Sequence, residues 1–139
     1  MSGEANQVAW RGVQPVAGIR GIWPAIDSVR VNKDGYAAAG ATTVIYTVPV
    51  GKIFFLASAL LTSKFSGAIS TYAWLMARTP GDADFLNIVT QYYYVDGQAT
   101  NVIQHSPALE FAAGYDFVVR TGVGGPIGRA GIYGWLEGA

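Results

Sequence analysis

From Thr42 onward, runs of β-branched and aromatic residues are cut by turn formers at intervals of about 8 to 12 positions, and this cadence constrains the fold more than any other feature. Thr43-Val-Ile-Tyr-Thr-Val48 is β-rich, Pro49-Val-Gly51 is turn chemistry, and Ile53 to Leu61 is a short apolar run, which together predict strand, tight corner, strand. Thr71 to Ala77 alternates, with Tyr72, Trp74 and Met76 on one face, and Thr79-Pro-Gly-Asp82 stops it. Ile88 to Val95 runs into Asp96-Gly97, a strong hairpin signal. Residues 100–104, 108–111, 116–121 and 130–137 supply further strands, separated by Pro107, Gly114 and the stretch from Gly122 to Gly128. Seven or eight short strands of this kind predict an all-β sandwich or barrel. Helix is not expected, since Gly67, Thr71 and Tyr72 interrupt the one stretch that holds a few helix formers, Ser66 to Arg78.

An internal echo narrows the architecture. Val48-Pro-Val-Gly-Lys-Ile-Phe-Phe-Leu56 and Phe111-Ala-Ala-Gly-Tyr-Asp-Phe-Val-Val119 share a hydrophobic residue, two small residues, Gly, two variable positions, then Phe and an apolar pair. Two strands that turn corners half a domain apart suit a jelly-roll-like antiparallel β-sandwich. The immunoglobulin-like sandwich is the alternative, disfavoured because its Cys-Trp-Cys hallmark is absent.

Residues 1–40 differ. They contain Pro15, Pro24 and six glycines, and their apolar residues follow neither a helical nor a strand period. The expectation is an extended N-terminal arm over 1–40, followed by a sandwich domain over 41–139. Within the arm, Arg11-Gly-Val-Gln-Pro15 is echoed by Arg20-Gly-Ile-Trp-Pro24. Disordered tails are polar and poor in aromatics, whereas this one carries Trp10 and Trp23, so it is expected to lie along a surface, its own or a neighbour's. Removal of residues 2–30 should then leave a folded sandwich.

Composition limits the partners. Only 13% of the 139 residues are charged against 51% hydrophobic, which predicts that part of the surface faces another protein. Nine basic and nine acidic side chains give a formal net charge of 0, so neither a nucleic-acid partner nor a membrane surface is expected. No secretory leader or membrane-spanning run is legible.

The chemistry-bearing residues are sparse. One His and no Cys leave too few ligands for a zinc site, and no cofactor is expected. His105 reads as an ordinary surface or hydrogen-bonded histidine. Asp82-Ala-Asp84 could open a calcium loop, but Phe85-Leu86 supplies no third carboxylate, so a solvated turn is favoured. Glu110 and Asp116 are the best carboxylate pair for glycoside hydrolysis, yet the Ala112-Ala-Gly114 turn explains their nearness without catalysis. Gly122 to Arg129 matches no phosphate-loop pattern and reads as a flexible hairpin connection. Tyr92-Tyr-Tyr94 alternates, with Tyr92 and Tyr94 on one face and Tyr93 on the other, so at least one ring is expected to face outward. The chain is expected not to be an enzyme.

The run Tyr46-Thr-Val-Pro-Val-Gly-Lys52 before a hydrophobic strand, the Gly114-Tyr-Asp116 corner, and the closing Gly131-Ile-Tyr-Gly-Trp-Leu-Glu137 resemble small β-sandwich virion proteins of tailed bacteriophages, in particular capsid decoration or cement proteins. The resemblance covers about residues 42 to 138. It implies a non-enzymatic protein on the outside of the capsid, assembled as a homo-oligomer (dimer or trimer), with the major capsid protein as partner and arms that tie neighbouring subunits. No contact residue transfers from the family. Trp and Arg dominate interface hot spots, so the expected contacts are Trp10, Arg11, Val13, Ile19, Arg20, Ile22 and Trp23 on the arm and Tyr93 on the sandwich. Loops 79–87 and 122–129 would add to them. The alternative is a carbohydrate- or receptor-binding module of a phage tail or fibre, using exposed Tyr and Trp.

Overall fold

A computed structural model describes residues 20–22, 24–82 and 84–139. Eight strands follow one another: β1 (Val29–Ala37), β2 (Thr42–Thr47), β3 (Lys52–Phe65), β4 (Thr71–Arg78), β5 (Phe85–Tyr93), β6 (Gly97–Phe111), β7 (Asp116–Thr121) and β8 (Ile127–Gly138). They form two antiparallel four-stranded sheets, ordered β1-β8-β3-β6 and β2-β7-β4-β5, and there is no helix among the described residues.

This order follows from a long hairpin folded over on itself. Each strand of the first half pairs with its mirror in the second, β1 with β8, β2 with β7, β3 with β6 and β4 with β5, and alternate pairs fall into alternate sheets. Pairing of β3 with β8 and of β4 with β7 then closes each sheet. The result is the jelly-roll sandwich expected from the sequence.

The core lies between the sheets because one residue in two along each strand points inward. Phe54, Leu56 and Leu61 of β3, Ala73 and Leu75 of β4, Phe117 and Val119 of β7, and Ala130 and Ile132 of β8 are all at most 2% exposed. Edge-to-face rings anchor it: Phe54 meets Phe117 at 5.3 Å and Phe111 meets Phe117 at 4.8 Å. Each such side chain contributes about 1.5–3 kcal/mol by leaving water, and Phe54→Ala would cost about 3–5 kcal/mol.

Three expectations change. First, Val29–Ala37 is a strand, paired with β8 along its whole length, so the sandwich begins before residue 41. The glycine and charges of Val-Arg-Val-Asn-Lys-Asp-Gly-Tyr-Ala hid it: on an edge strand with one wet face they are tolerated. Second, Asp96-Gly97 does not close a hairpin; it carries the chain from β5 in one sheet to β6 in the other. A two-residue turn signal is local, whereas the sheet a strand joins is settled by long-range pairing. Third, residues 100–104 and 108–111 belong to one strand, β6, irregular opposite Ala57 of β3, where Pro107 sits.

Candidate functional site

The outer face of the β1-β8-β3-β6 sheet carries an aromatic pair that the sequence could not place. Phe55 and Trp135 occupy facing positions on β3 and β8, point away from the main core, and stack at 5.3 Å with an interplanar angle of 8°. They are 0% and 8% exposed, and Arg20 lies over Phe55 while Pro24 and Ala25 lie beside Trp135. With Ala108 they form a second, small hydrophobic cluster.

Three polar contacts hold this segment down. Arg20 forks onto Glu110 of β6, its Nε donating to Oε2 at 2.8 Å and its Nη2 to Oε1, while the guanidinium lies 5.6 Å from the centre of the Phe55 ring. Glu110 raises the Arg20 pKa, first through the side-chain hydrogen bond and then through its charge. The Ala108 N–H donates to the Gly21 carbonyl at 2.5 Å. Farther along, Glu137 Oε2 accepts both the Ala25 N–H at 3.1 Å and the Trp135 Nε1–H at 2.8 Å. The segment thus crosses the sheet from β6 to β8 before turning into β1. Beside it, Pro24, Ala25, Ile26, Ser28, Arg30, Tyr133 and Trp135 line a groove of about 530 Å³.

Of the expected contact residues, Arg20 is bound to its own sandwich and Ile22 is exposed. Trp10, Arg11, Val13, Ile19 and Trp23 lie outside the described residues. Tyr93 is corrected: it is 7% exposed and points inward, its hydroxyl 2.6 Å from Ser63 Oγ and donating to the Ser63 carbonyl at 3.2 Å. Gln91 completes this buried polar cluster, taking the Ser63 hydroxyl and donating to the Leu61 carbonyl at 3.0 Å and to Asn101 Oδ1 at 2.7 Å. The alternation was legible in the sequence, but which parity faced inward depended on the sheet partner. The outward rings are Tyr92 and Tyr94, at 66% and 69% exposure.

The outer face of the β2-β7-β4-β5 sheet is aromatic too. Tyr72 and Trp74 stack at 4.3 Å, Tyr92 stands opposite Tyr72 across β4 and β5, and the Arg120 guanidinium lies 5.4 Å from the Phe85 ring. At one end of the sandwich the loops converge: the Gly67 N–H donates to Asp96 Oδ1 at 2.5 Å, and Ile69, Tyr94, Val95 and Val123 project outward from three loops. Glycine is required in the β7–β8 loop by Thr71 of this chain, whose Oγ1 would lie 2.5 Å from a Cβ at Gly122 and 2.1 Å from one at Gly125.

The carboxylates weighed for catalysis are engaged elsewhere: Glu110 with Arg20, and Asp116 with Arg78 at 3.2 Å and with the Thr47 hydroxyl at 2.6 Å. Asp82 adopts a left-handed conformation at φ 58° and lies 3.3 Å from Arg78. His105 is half-buried in β6, and its Nε2 takes no hydrogen bond among the described residues. Among those residues no three His, Asp or Glu side chains group so as to hold a metal.

No protein-family model and no curated protein matches the chain. Among solved structures it is weakly similar to PirA, at 15% identity over 74% of this chain and 92% of that one with a TM-score of 0.38. It is likewise weakly similar to a protein of the Bacillus endospore appendages, described as a novel family of disulfide-linked pili, at 11% identity over 80% of this chain and 86% of that one with a TM-score of 0.35.

Proposed function

We propose that this chain is a non-enzymatic structural protein of a tailed-phage virion, which binds the major capsid protein on the outside of the head and stabilises the shell. The observation that supports it is the way Arg20-Gly21 docks: a guanidinium on a carboxylate and over a ring, next to a main-chain hydrogen bond. Arg11-Gly-Val-Gln-Pro15 repeats that pattern upstream, so the arm offers a neighbour the same chemistry it uses on its own sheet. Nine residues of extended chain reach about 30 Å, enough to cross to an adjacent subunit. The fitting surface is a carboxylate beside an exposed aromatic ring on a capsid subunit.

The test is co-sedimentation with purified heads of the phage that encodes the chain, comparing the natural protein with a Trp10→Ala, Arg11→Ala variant. Saturable binding that the variant loses supports the proposal. Failure of the natural protein to bind any head overturns it.

A second reading is favoured by the outward Tyr92 and Tyr94 and the Tyr72–Trp74 stack: a carbohydrate- or receptor-binding module of a tail or fibre. Glycan titration followed by tryptophan fluorescence tests it, and a response abolished by Tyr92→Ala is the expected result. A flat response across sugars would remove it.

A further inference from the structure

Four strands end the two sheets, and three of these edges are guarded. β1 carries Arg30, Lys33 and Asp34, and Thr43 Oγ1 donates to its Tyr36 carbonyl. β2 has six residues and is broken by a register shift between Val44 and Tyr46. β5 is broken midway, where Leu75 pairs with Val89 but Met76 with Asn87. Charges, shortness and bulges are the devices by which edge strands avoid pairing with other chains.

β6 has none of them over its first half. From Gly97 to Gln104 it pairs with β3 in eight successive one-to-one steps, from Phe65↔Gly97 to Ser58↔Gln104. Its sequence, Gly-Gln-Ala-Thr-Asn-Val-Ile-Gln, holds no charged residue. The irregularity and Pro107 come only afterwards, where the Ala108 N–H already meets Gly21. Among the described residues, no backbone hydrogen bond reaches the outer side of residues 97–104. On the solvent face of this stretch Val102 is 64% exposed, beside Leu60 at 37%.

We propose that the β6 edge, residues 97–104, pairs antiparallel with the β6 edge of a second copy of this chain across a two-fold axis. The pairing joins two four-stranded sheets into one of eight. A second copy fits because an antiparallel edge is its own complement, and because no like charges meet when an uncharged strand faces itself. In such pairing Val102 of one copy lies against Thr100 or Val102 of the other, an apolar and β-branched contact. An interface of two eight-residue edges is small, so the dimer is reversible and concentration-dependent. This goes beyond the proposed function, which concerns the shell, by naming a surface for self-association, and it does not require a shell.

The experiment is sedimentation velocity over a concentration series on the full chain and on a Thr100→Lys, Val102→Lys variant, with Tyr92→Lys as control. Both substituted positions are exposed, so the fold should be retained, as checked by thermal melting. The natural protein and the control should dimerise alike, and the paired lysines should weaken the dimer about ten-fold or more through like-charge contact. In the natural protein alone, hydrogen exchange of the outward-facing amides among residues 97–104, those not bonded to β3, should slow as concentration rises, a readout that stands even if the variant misfolds. A monomer at every concentration, or a dimer indifferent to the lysines, overturns the proposal. So does protection of those amides that is equal at all dilutions, which would mean that another part of the same chain covers the edge. Head binding by a chain that stays monomeric would separate failure here from failure of the capsid reading.

Discussion

Gly114 donates its N–H to the carbonyl of Val48 at 2.9 Å, and through this bond the two halves of the internal echo touch each other. The Val48 N–H returns a bond to the Tyr115 carbonyl, also at 2.9 Å, so the corner before β3 and the corner before β7 are laced together at one end of the sandwich. Beyond the corners, the equivalent residues Phe54 and Phe117 meet edge to face in the core.

Both corners need glycine, and by different margins. Gly51 and Gly114 have φ of +76° and +90°; a Cβ at Gly51 meets nothing within 4 Å, whereas one at Gly114 would lie 3.0 Å from Pro80 Cγ. Gly51→Ala should therefore cost about 1–2 kcal/mol from backbone strain alone. Gly114→Ala should cost more, as read from urea denaturation midpoints at constant m-value.

Tyr93 and Tyr92 are neighbours in sequence with opposite roles, and substitution separates them. Tyr93→Phe removes the hydroxyl held by Ser63 inside the sandwich and should destabilise by about 1–2 kcal/mol without changing association. Tyr92→Ser should change stability by less than about 0.5 kcal/mol, because its ring stands in water. Chemical denaturation of the two variants side by side checks both values.

Alkaline pH should weaken the fold through Tyr46. Burial against the Phe54 ring raises its pKa above the ordinary value of 10.0. The unfolded chain then loses the phenol proton first, so stability is fully present below pH 10 and falls as pH rises from there through the folded-state pKa. Tyr46→Phe should flatten this fall, measured by urea titrations between about pH 9 and 11.

Contrary to the expectation from the sequence, and because strand β1 begins at Val29, removal of residues 2–30 should not leave an intact sandwich. It strips away the segment over Phe55 and Trp135 and cuts Val29 and Arg30 from β1. Uncovering two large aromatic side chains should cost about 2 kcal/mol or more. The readouts are a lower melting temperature and red-shifted tryptophan emission.

A milder change isolates the cover itself. Glu137→Ala removes the acceptor shared by the Ala25 N–H and Trp135 Nε1–H, so residues 25–28 should exchange amide hydrogens faster while the β7 core amides stay protected. Uniform acceleration across both regions would contradict that division.

The strand cadence, the two glycine corners and the alternation of Tyr72, Trp74 and Met76 were legible in the sequence because turns and pleats are local: they depend on φ preferences and a period of two. From them the all-β class and a jelly-roll-like order followed. Local signals could not say that Asp96-Gly97 would link different sheets, that Val29–Ala37 would pair with β8, or that Tyr93 would face inward. Each of those depends on a partner strand many residues away, and pairing is won by the burial of whole faces. The docking site was hidden for the same reason. Arg20 and Glu110, like Phe55 and Trp135, are ordinary residues in ordinary contexts until β3, β6 and β8 lie side by side and the arm crosses them. The sequence by itself determined which residues form strands and corners; the tertiary structure decided which faces are covered and which strands end each sheet, because both depend on partners distant in the chain.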